Sequence, residues 1–190
     1  MPSSTQKSSN SEKSSKSTRS ESQADTGRGR SAKSKSMDAV TLLKADHKQV
    51  AEWFEQFESA RSETDKQRLA QQICTALTVH ATIEEEIFYP AFLDATGETD
   101  LHHEAEIEHQ GAKSLIAEIE ESNAEDDEYF DAKVTVLAEL IRHHVNEEEQ
   151  RDGMFAKAKE SDMDLDAIGE QLQTRKDELT DEKPPQRRAG

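Results

Sequence analysis

The chain has 190 residues, a formal net charge of −17 at pH 7 and one cysteine, Cys74. This length allows one domain of ordinary size plus tails, and a single cysteine excludes both an intramolecular disulfide and a cysteine-based zinc cluster. No apolar run approaches the ~20 residues that span a bilayer, and the N-terminus lacks the apolar core of a signal peptide. We therefore expect a cytoplasmic protein without membrane association.

The two ends of the chain differ in charge. Residues 1–37 are rich in Ser, Lys and Arg and carry a net charge of +5, whereas residues 38–190 carry −22. The first segment has almost no side chain able to enter a core, so we predict a disordered basic tail. The acidic remainder disfavours binding of nucleic acid or an anionic membrane and favours cations. We predict a helical domain over 38–160 and an amphipathic helix with a tail over 161–190.

The first predicted helix runs from about residue 38 to residue 60, with Asp38 as its N-cap. Its apolar residues recur at helical spacing, and His47 falls on the same stripe, so this histidine should face the core. A lone core histidine is more often hydrogen-bonded than metal-bound. Only partners on other helices would make His47 a metal ligand.

The second predicted helix ends or bends at Pro90. His80 and Glu84 lie four residues apart on its apolar stripe, so both side chains should point inward. Their neighbours Glu85 and Glu86 should face water. Because a buried carboxylate beside a buried imidazole is costly without compensation, a metal ion is one explanation for this pair.

The third predicted helix spans about 101–122 and places His109 on its core row. His102 and His103 fall in its first turn and should be exposed. Glu106 precedes His109 by three residues, so this glutamate is a reserve ligand or a partner of a ligand.

The fourth predicted helix can be read in two registers. One register places His144 and Glu148 inward, and the other places His143 and Glu147 inward together with Lys133. Because a lysine in the core is unfavourable, we favour the first register. The second remains an alternative.

A last amphipathic helix with Leu165, Ile168 and Leu172 either covers the preceding helices or continues away from them. Four helices joined by short polar connections predict an all-α, up-and-down four-helix bundle with an extra C-terminal helix.

Each of the four bundle helices contributes one histidine to the core, and two of these histidines have a carboxylate one turn later. Four imidazoles and two carboxylates are too many for one tetrahedral zinc ion, and carboxylates can bridge, so the pattern indicates a dinuclear centre. Imidazole and carboxylate suit iron, manganese or zinc. An open position on a redox-active iron pair is where oxygen, nitric oxide or peroxide would bind. No Ser or Cys nucleophile stands near a base, which argues against acid–base or nucleophilic catalysis.

The order of these motifs resembles the hemerythrin-like, HHE cation-binding domain over about residues 38–160. The motifs are His47, His80-x-x-x-Glu84 followed by Glu-Glu-Ile-Phe-Tyr-Pro, Glu108-His109, and His-His-Val-Asn-Glu-Glu-Glu. The resemblance implies a four-helix bundle holding two iron ions with an oxo or hydroxo bridge, with manganese or zinc as substitutes. By residue matching, it implies the ligands His47, His80, Glu84, His109, His144 and Glu148.

Two departures from the family pattern affect this expectation. Ala156 stands where proline is common, which bears on the choice between Glu147 and Glu148. Ala105 stands where oxygen-carrying hemerythrins have a further histidine, so reversible oxygen storage is less expected than metal binding.

The expected function is that of a non-haem di-iron protein that binds, senses or detoxifies O2, NO or peroxide. Peroxide disproportionation is the enzymatic activity compatible with this centre. The alternative is iron or cation buffering or storage without gas chemistry, and a third hypothesis is an interaction module without a metal.

Overall fold

The structure is a computed structural model that describes residues 37–182. The predicted disordered tail, apart from Met37, and the predicted non-helical end from residue 183 lie outside the described residues. All regular secondary structure in the described part is helical, which confirms the predicted all-α class. The helices are α1 (Ala39–Ser59), α2 (Glu63–Ile83), α3 (Tyr89–Thr96), α4 (Thr99–Glu120), α5 (Phe130–Glu149), α6 (Met154–Glu160) and α7 (Leu165–Glu182).

The bundle is formed by α1, α2, α4 and α5, which pack in this cyclic order. Side-chain caps mark the N-termini of α1 and α2. Asp38 Oδ1 accepts a hydrogen bond from Thr41 N at 3.0 Å, and Ser62 Oγ accepts one from Asp65 N at 3.1 Å. Each cap satisfies a backbone donor that has no partner within the helix. The predicted N-cap of the first helix is therefore confirmed.

A π-helical segment, Glu84–Phe88, connects α2 to α3 and is called the π-turn below. In it, Tyr89 N–H donates to Glu84 O, so the turn holds one residue more than an α-helical turn. The sequence predicted that the helix ends or bends at Pro90. It does not end there, because α3 continues to Thr96. Pro90 lies in the first turn of α3, where a missing N–H is tolerated.

Two apolar clusters fill the described part of the protein. The distal cluster comprises Val50, Phe54, Phe57, Leu69, Ala70, Ile73, Cys74, Leu77, Ala112, Ile116, Ile119, Phe130, Val134, Leu137 and Ala138. The proximal cluster comprises Ala39, Val40, Leu42, Leu43, Ile83, Phe88, Tyr89, Phe92, Ala105, Met154, Phe155, Ala158, Ile168 and Leu172. Burial of these apolar side chains is the main favourable contribution to folding.

A polar level separates the two clusters, because α1, α2 and α4 each change from one cluster to the other at their core histidine, and α5 leaves the distal cluster before His144. We call this level the histidine layer. It contains His47, His80, Glu84, His109, His144 and Glu148, all of them buried. Their positions on helical backbone give each side chain a rigid support.

The segment after α5 reverses direction sharply. Gly153 is buried against the end of α5, and a Cβ there would overlap the carbonyl oxygen of Glu147. Glycine is therefore required at this close approach. The reversal allows α6 to place Met154 and Phe155 in the proximal cluster.

The last helix, α7, packs across α1 and α2. It crosses the start of α1 at Gly169, where a Cβ would overlap Met37 O, and it buries Ile168 and Leu172 in the proximal cluster. Of the two predicted arrangements for this helix, the structure has the one in which it covers the bundle. Among the described residues, none of the helices is long and apolar enough to cross a membrane.

Candidate metal centre

The structure brings the six sequence-predicted ligand residues together in two groups that share one carboxylate. Within each group, the donor atoms all lie within 4.8 Å of one another. The first group consists of His47, His80, Glu84 and Glu148, and the second of Glu84, His109 and His144. Two adjoining groups with a shared member have the composition expected for a dinuclear centre.

The imidazoles form two close pairs through their Nε2 atoms. His47 Nε2 lies 3.0 Å from His80 Nε2, and His109 Nε2 lies 3.2 Å from His144 Nε2. Two ligands at right angles around an ion with bonds of about 2.1 Å are about 3.0 Å apart. Each pair therefore has the separation of two imidazoles that bind the same ion.

Each buried carboxylate lies between the two histidine pairs. Glu84 Oε2 is 3.2 Å from His80 Nε2 and 3.4 Å from His109 Nε2. Glu148 Oε2 is 3.4 Å from His47 Nε2 and 3.7 Å from His144 Nε2. Each carboxylate thus has one histidine of each pair beside it and would be available to both groups if cations were bound.

Three buried carboxylate oxygens in this layer have no hydrogen-bond partner. They are both oxygens of Glu84 and Oε2 of Glu148, and the Glu84 side chain is 0% exposed. A buried carboxylate that lacks hydrogen bonds is unfavourable unless nearby positive charge compensates it, and in the metal-free layer the histidines supply that charge. The residues present therefore fit a pair of cations, which would take these oxygens as ligands.

The pKa values of the metal-free layer also show that its buried carboxylates favour positive charge nearby. Burial and the nearby Glu84 raise the pKa of Glu148 to about 8. Burial disfavours the charged form of His80, but Glu84 outweighs it and raises the pKa of His80 to about 10. Against the effect of burial, His80 holds the pKa of Glu84 well below its usual value. Protons thus occupy positions that cations would take, and cation binding would release them.

A second set of acidic residues contacts the outer nitrogens of the histidines. Glu149 Oε1 lies 2.9 Å from His47 Nδ1, and Glu85 Oε1 lies 2.9 Å from His109 Nδ1. A carboxylate accepts a hydrogen bond from Nδ1 only when that nitrogen carries the proton. This leaves Nε2 with a free lone pair directed into the layer.

His144 follows the same arrangement, but His80 does not, because its Nδ1 is buried without a hydrogen-bond partner. His144 Nδ1 lies 2.8 Å from Glu108 Oε2, and His80 Nδ1 lies 3.6 Å from Asp46 Oδ2, which is too long for a hydrogen bond. We call these four acidic residues the outer carboxylates: Asp46, Glu85, Glu108 and Glu149.

The outer carboxylates form a cycle around the bundle. Each stands next to a histidine-layer residue in sequence but contacts a histidine on another helix. The contacts run from α1 to α2, from the π-turn to α4, from α4 to α5 and from α5 back to α1. Three also pair with a lysine: Glu149 with Lys44 at 2.7 Å, Glu85 with Lys113 at 2.5 Å, and Asp46 with Lys176 of α7. The histidine rings are thus fixed by neighbouring helices.

The sequence prediction for Glu85 was wrong. It was expected to face water, but it is only partly exposed and bonds both His109 and Lys113. Glu86 is more exposed and pairs with Arg175 of α7 at 2.7 Å. The π-turn explains the difference, because its extra residue changes the direction of the side chains that follow Glu84.

The structure also distinguishes between the two registers of the last bundle helix. His144 and Glu148 are buried, whereas the His143 side chain is 64% exposed and contacts Glu108 and Glu147 at the surface. Glu106, the reserve ligand, is exposed and belongs to neither buried group. The favoured register is the one that the structure adopts.

Sequence reasoning missed Tyr89. This buried residue of the proximal cluster donates a hydrogen bond from its hydroxyl to Glu148 Oε1 at 3.1 Å, and the hydroxyl lies 3.2 Å from His109 Nε2. Burial and the two buried carboxylates raise the pKa of Tyr89 well above its usual value, so the phenol stays protonated. Only the π-turn brings Tyr89 inward, and the apolar pattern gave no signal of that turn.

A small cavity of about 20 Å³ borders the histidine layer on its distal side. The surface it exposes is apolar, and about 10–15 Å³ on this measure is enough to hold one water molecule. The cavity therefore has room for a diatomic molecule and not for an organic substrate. Its walls comprise the four core histidines, the charged residues Asp46 and Lys113, and the apolar residues Val50, Leu77, Ala81, Ala112, Ile116, Ile141 and Val145.

Comparison with known proteins gives consistent results. The family model of the hemerythrin HHE cation-binding domain matches residues 38–156. A Nostoc protein described as a DNA nickase is 30% identical over 113 residues, which are 60% of this chain and 32% of that protein. The chain thus spans about a third of the length of that relative.

A solved structure of similar fold is that of a hemerythrin HHE cation-binding domain-containing protein from Mycobacterium kansasii. The similarity has a TM-score of 0.63 and 22% sequence identity, and it covers 75% of this chain and 87% of that chain. At this identity the similarity concerns the fold alone. The family match and the buried histidine–carboxylate groups lead to the same conclusion: this chain belongs to the hemerythrin HHE cation-binding family and is a metal-binding, hemerythrin-like protein.

Proposed function

We propose that this chain holds two iron ions in the histidine layer, with all six residues of the layer as ligands, and that the centre binds O2 or NO in the cytoplasm. Iron would supply redox chemistry and open positions for a small ligand. The two Nε2 pairs and the two carboxylates between them support this stoichiometry. Manganese or zinc fits the same donors.

The observation that carries the choice of ligand is the small cavity lined in part by the four core histidines, whose exposed surface is apolar. A diatomic gas gives up little on leaving water for such a cavity, whereas peroxide gives up hydrogen bonds that the cavity does not replace. The cavity therefore favours O2 and NO over peroxide. Tyr89 lies on the other side of the layer, where its hydroxyl can donate a hydrogen bond beside the ions.

The proposal can be tested on the full chain reconstituted with two equivalents of Fe²⁺ without oxygen. Admission of air should produce an oxo-to-iron charge-transfer band, and NO should produce a different spectrum. Fewer than one iron per chain, or no spectral change with either gas, would refute the proposal. Peroxide should react more slowly than O2 at equal concentration.

A matched pair of variants tests the role of the cavity. Ala112→Val adds two carbon atoms to the cavity wall and should weaken O2 and NO binding at least severalfold with two irons retained. Ala138→Val makes the same change at a buried position of α5 that does not border the cavity. Equal losses in the two variants would show that the cavity does not admit the gas.

The alternative function is iron or cation buffering, which the acidic composition favours. A buffer would bind and release the metal without a gas-dependent spectrum. Glu84→Gln would then change metal affinity alone, with no reaction to lose.

The name of the Nostoc relative raises DNA cleavage as a question for this chain. Residues 38–190 carry a net charge of −22, which opposes binding to a polyanion. We therefore expect the iron-loaded full chain to leave supercoiled plasmid intact. Nicking that disappears in Glu84→Gln would contradict this expectation and assign the cleavage to the centre.

A further inference from the structure

A second kind of histidine–carboxylate cluster lies at the start of α4, outside the histidine layer. It consists of His102, His103 and Glu106, whose donor atoms all lie within 4.8 Å of one another. Glu106 follows His102 by four residues and His103 by three, so both spacings place it over the same side of one helical turn. The backbone of α4 alone therefore brings the three side chains together.

One atom of this cluster has no satisfactory partner. His102 Nδ1 is buried and makes no hydrogen bond, although it faces Glu106 Oε2 at a distance of 3.7 Å. This distance is too long for a hydrogen bond but close to the ~3.4 Å between two ligands of a tetrahedral ion with bonds of about 2.1 Å. An ion between the two atoms would satisfy both.

Ring contacts on both sides restrain His102 within the cluster. His102 packs edge-on against buried Tyr89 with ring centroids 5.9 Å apart, and its ring centroid lies 5.8 Å from that of His103. Packing of this kind lowers the entropy lost when a ligand is fixed. His103 and Glu106 remain exposed, so an ion would keep open positions for water.

Another surface cluster has a similar composition but contains no buried nitrogen without a hydrogen-bond partner. His143 Nε2 lies 3.2 Å from both Glu108 Oε1 and Glu147 Oε1, and Glu108 also contacts His144. Its acidic groups already have partners. The cluster at the start of α4 is therefore the stronger candidate for a cation.

We propose that His102, His103 and Glu106 form a third, solvent-facing metal site that takes a divalent cation of the Zn²⁺ or Fe²⁺ class. Two imidazoles and one carboxylate are a ligand set that suits these ions. Three protein ligands leave the ion exchangeable with solvent. Tyr89, which contacts both His102 and the histidine layer, lies between this site and the inner centre.

The test is equilibrium dialysis of the full chain against low-micromolar Zn²⁺ at about 0.15 M salt, which screens weak attraction to the acidic surface. Wild-type protein should bind one Zn²⁺ more per chain than His103→Ala or Glu106→Gln. Both substituted side chains are exposed, so folding should not change. The measured quantity is the difference in bound Zn²⁺ per chain between wild type and variant. This difference does not depend on which metal the histidine layer contains or on gas binding.

Glu104→Gln is the matched control, since it removes the same charge from an exposed residue of the same turn that is not in the cluster. This variant should retain the additional ion. Equal binding by wild type and Glu106→Gln would overturn the proposal. Equal loss in Glu104→Gln and Glu106→Gln would also overturn it, because the ion would then be held by general acidity.

Discussion

The distal cluster and the histidine layer occupy successive levels of the same four helices, but opposite interactions hold them together. The distal cluster contains apolar side chains that gain free energy from leaving water. The histidine layer contains two buried carboxylates and four imidazoles that lose their hydration. The comparison implies that the distal cluster stabilises the chain without metal and that the histidine layer depends on bound cations for compensation.

The largest effect is expected from the carboxylate that both groups share. Glu84→Gln removes the carboxylate that pairs with His80 in the metal-free layer, so the free energy of unfolding of the metal-free chain should fall. The same change should reduce the ion content from two to fewer than one per chain. Denaturant unfolding and metal analysis of one preparation measure both, and retention of two ions would contradict the account.

A loss of stability without a loss of metal is expected in the distal cluster. Leu137→Ala removes a fully buried side chain and should lower the free energy of unfolding by about 2–5 kcal/mol with the ion content unchanged. Leu140→Ala is the control, because Leu140 is partly exposed on the same helix and should cost less than about 1 kcal/mol. If Leu137→Ala lost metal at temperatures where it is folded, the distal cluster and the histidine layer would not be independent of each other, which would contradict the account.

A smaller effect is expected from the outer carboxylates, which fix the histidine rings without touching the ions. Glu108→Gln should weaken metal binding about 10–100-fold, because His144 Nδ1–H then donates to a neutral amide oxygen, or meets the amide NH2, instead of a charged carboxylate. Glu104→Gln, an exposed change of equal charge on the same helix, should leave affinity within about twofold. Competition with a chromophoric chelator compares them, and equal affinities would remove Glu108 from the account.

The smallest effect concerns pH. Because the pKa of Glu148 is raised from 4.5 to about 8, the metal-free fold loses stability as the pH rises through this range. The raised pKa of His80 adds stability that is complete below about 6.5 and lost toward pH 10. The lowered pKa of Glu84 adds stability that is present above pH 4.5 and is lost as the pH falls below this value. The melting temperature of the Zn²⁺-loaded chain should exceed that of the metal-free chain by more at pH 8 than at pH 6.

The opposite trend, a difference that narrows between pH 6 and pH 8, would contradict the assignment of the protons in the histidine layer. Measurements at constant ionic strength provide the control, because they hold constant the screening of the acidic surface.

Much of this arrangement follows from helical periodicity. The core row of each bundle helix was readable because apolar residues recur at 3.6-residue spacing, and His47, His80, His109 and His144 fall on those rows. The choice of Glu148 over Glu147 followed from the cost of burying Lys133. The structure has these residues on the inner faces of α1, α2, α4 and α5.

The features of the site that could not be predicted from the sequence depend on contacts between helices. The π-turn leaves no mark on the apolar pattern, so the inward position of Tyr89 and the contacts of Glu85 were missed. The outer carboxylates lie one residue away from the layer in sequence, at positions such as Asp46 and Glu108 that resemble solvated faces. Their partners belong to neighbouring helices, and a single helix gives no information about them.

X-ray absorption at the iron edge tests most directly the central claim that the histidine layer is one dinuclear centre. For the full chain reconstituted with two equivalents of iron, the account predicts nitrogen and oxygen neighbours alone and an iron–iron separation of about 3–4 Å. Glu84→Gln should lose the iron–iron signal. Absence of that signal in the wild type at two irons per chain, or a sulfur neighbour, would contradict the claim.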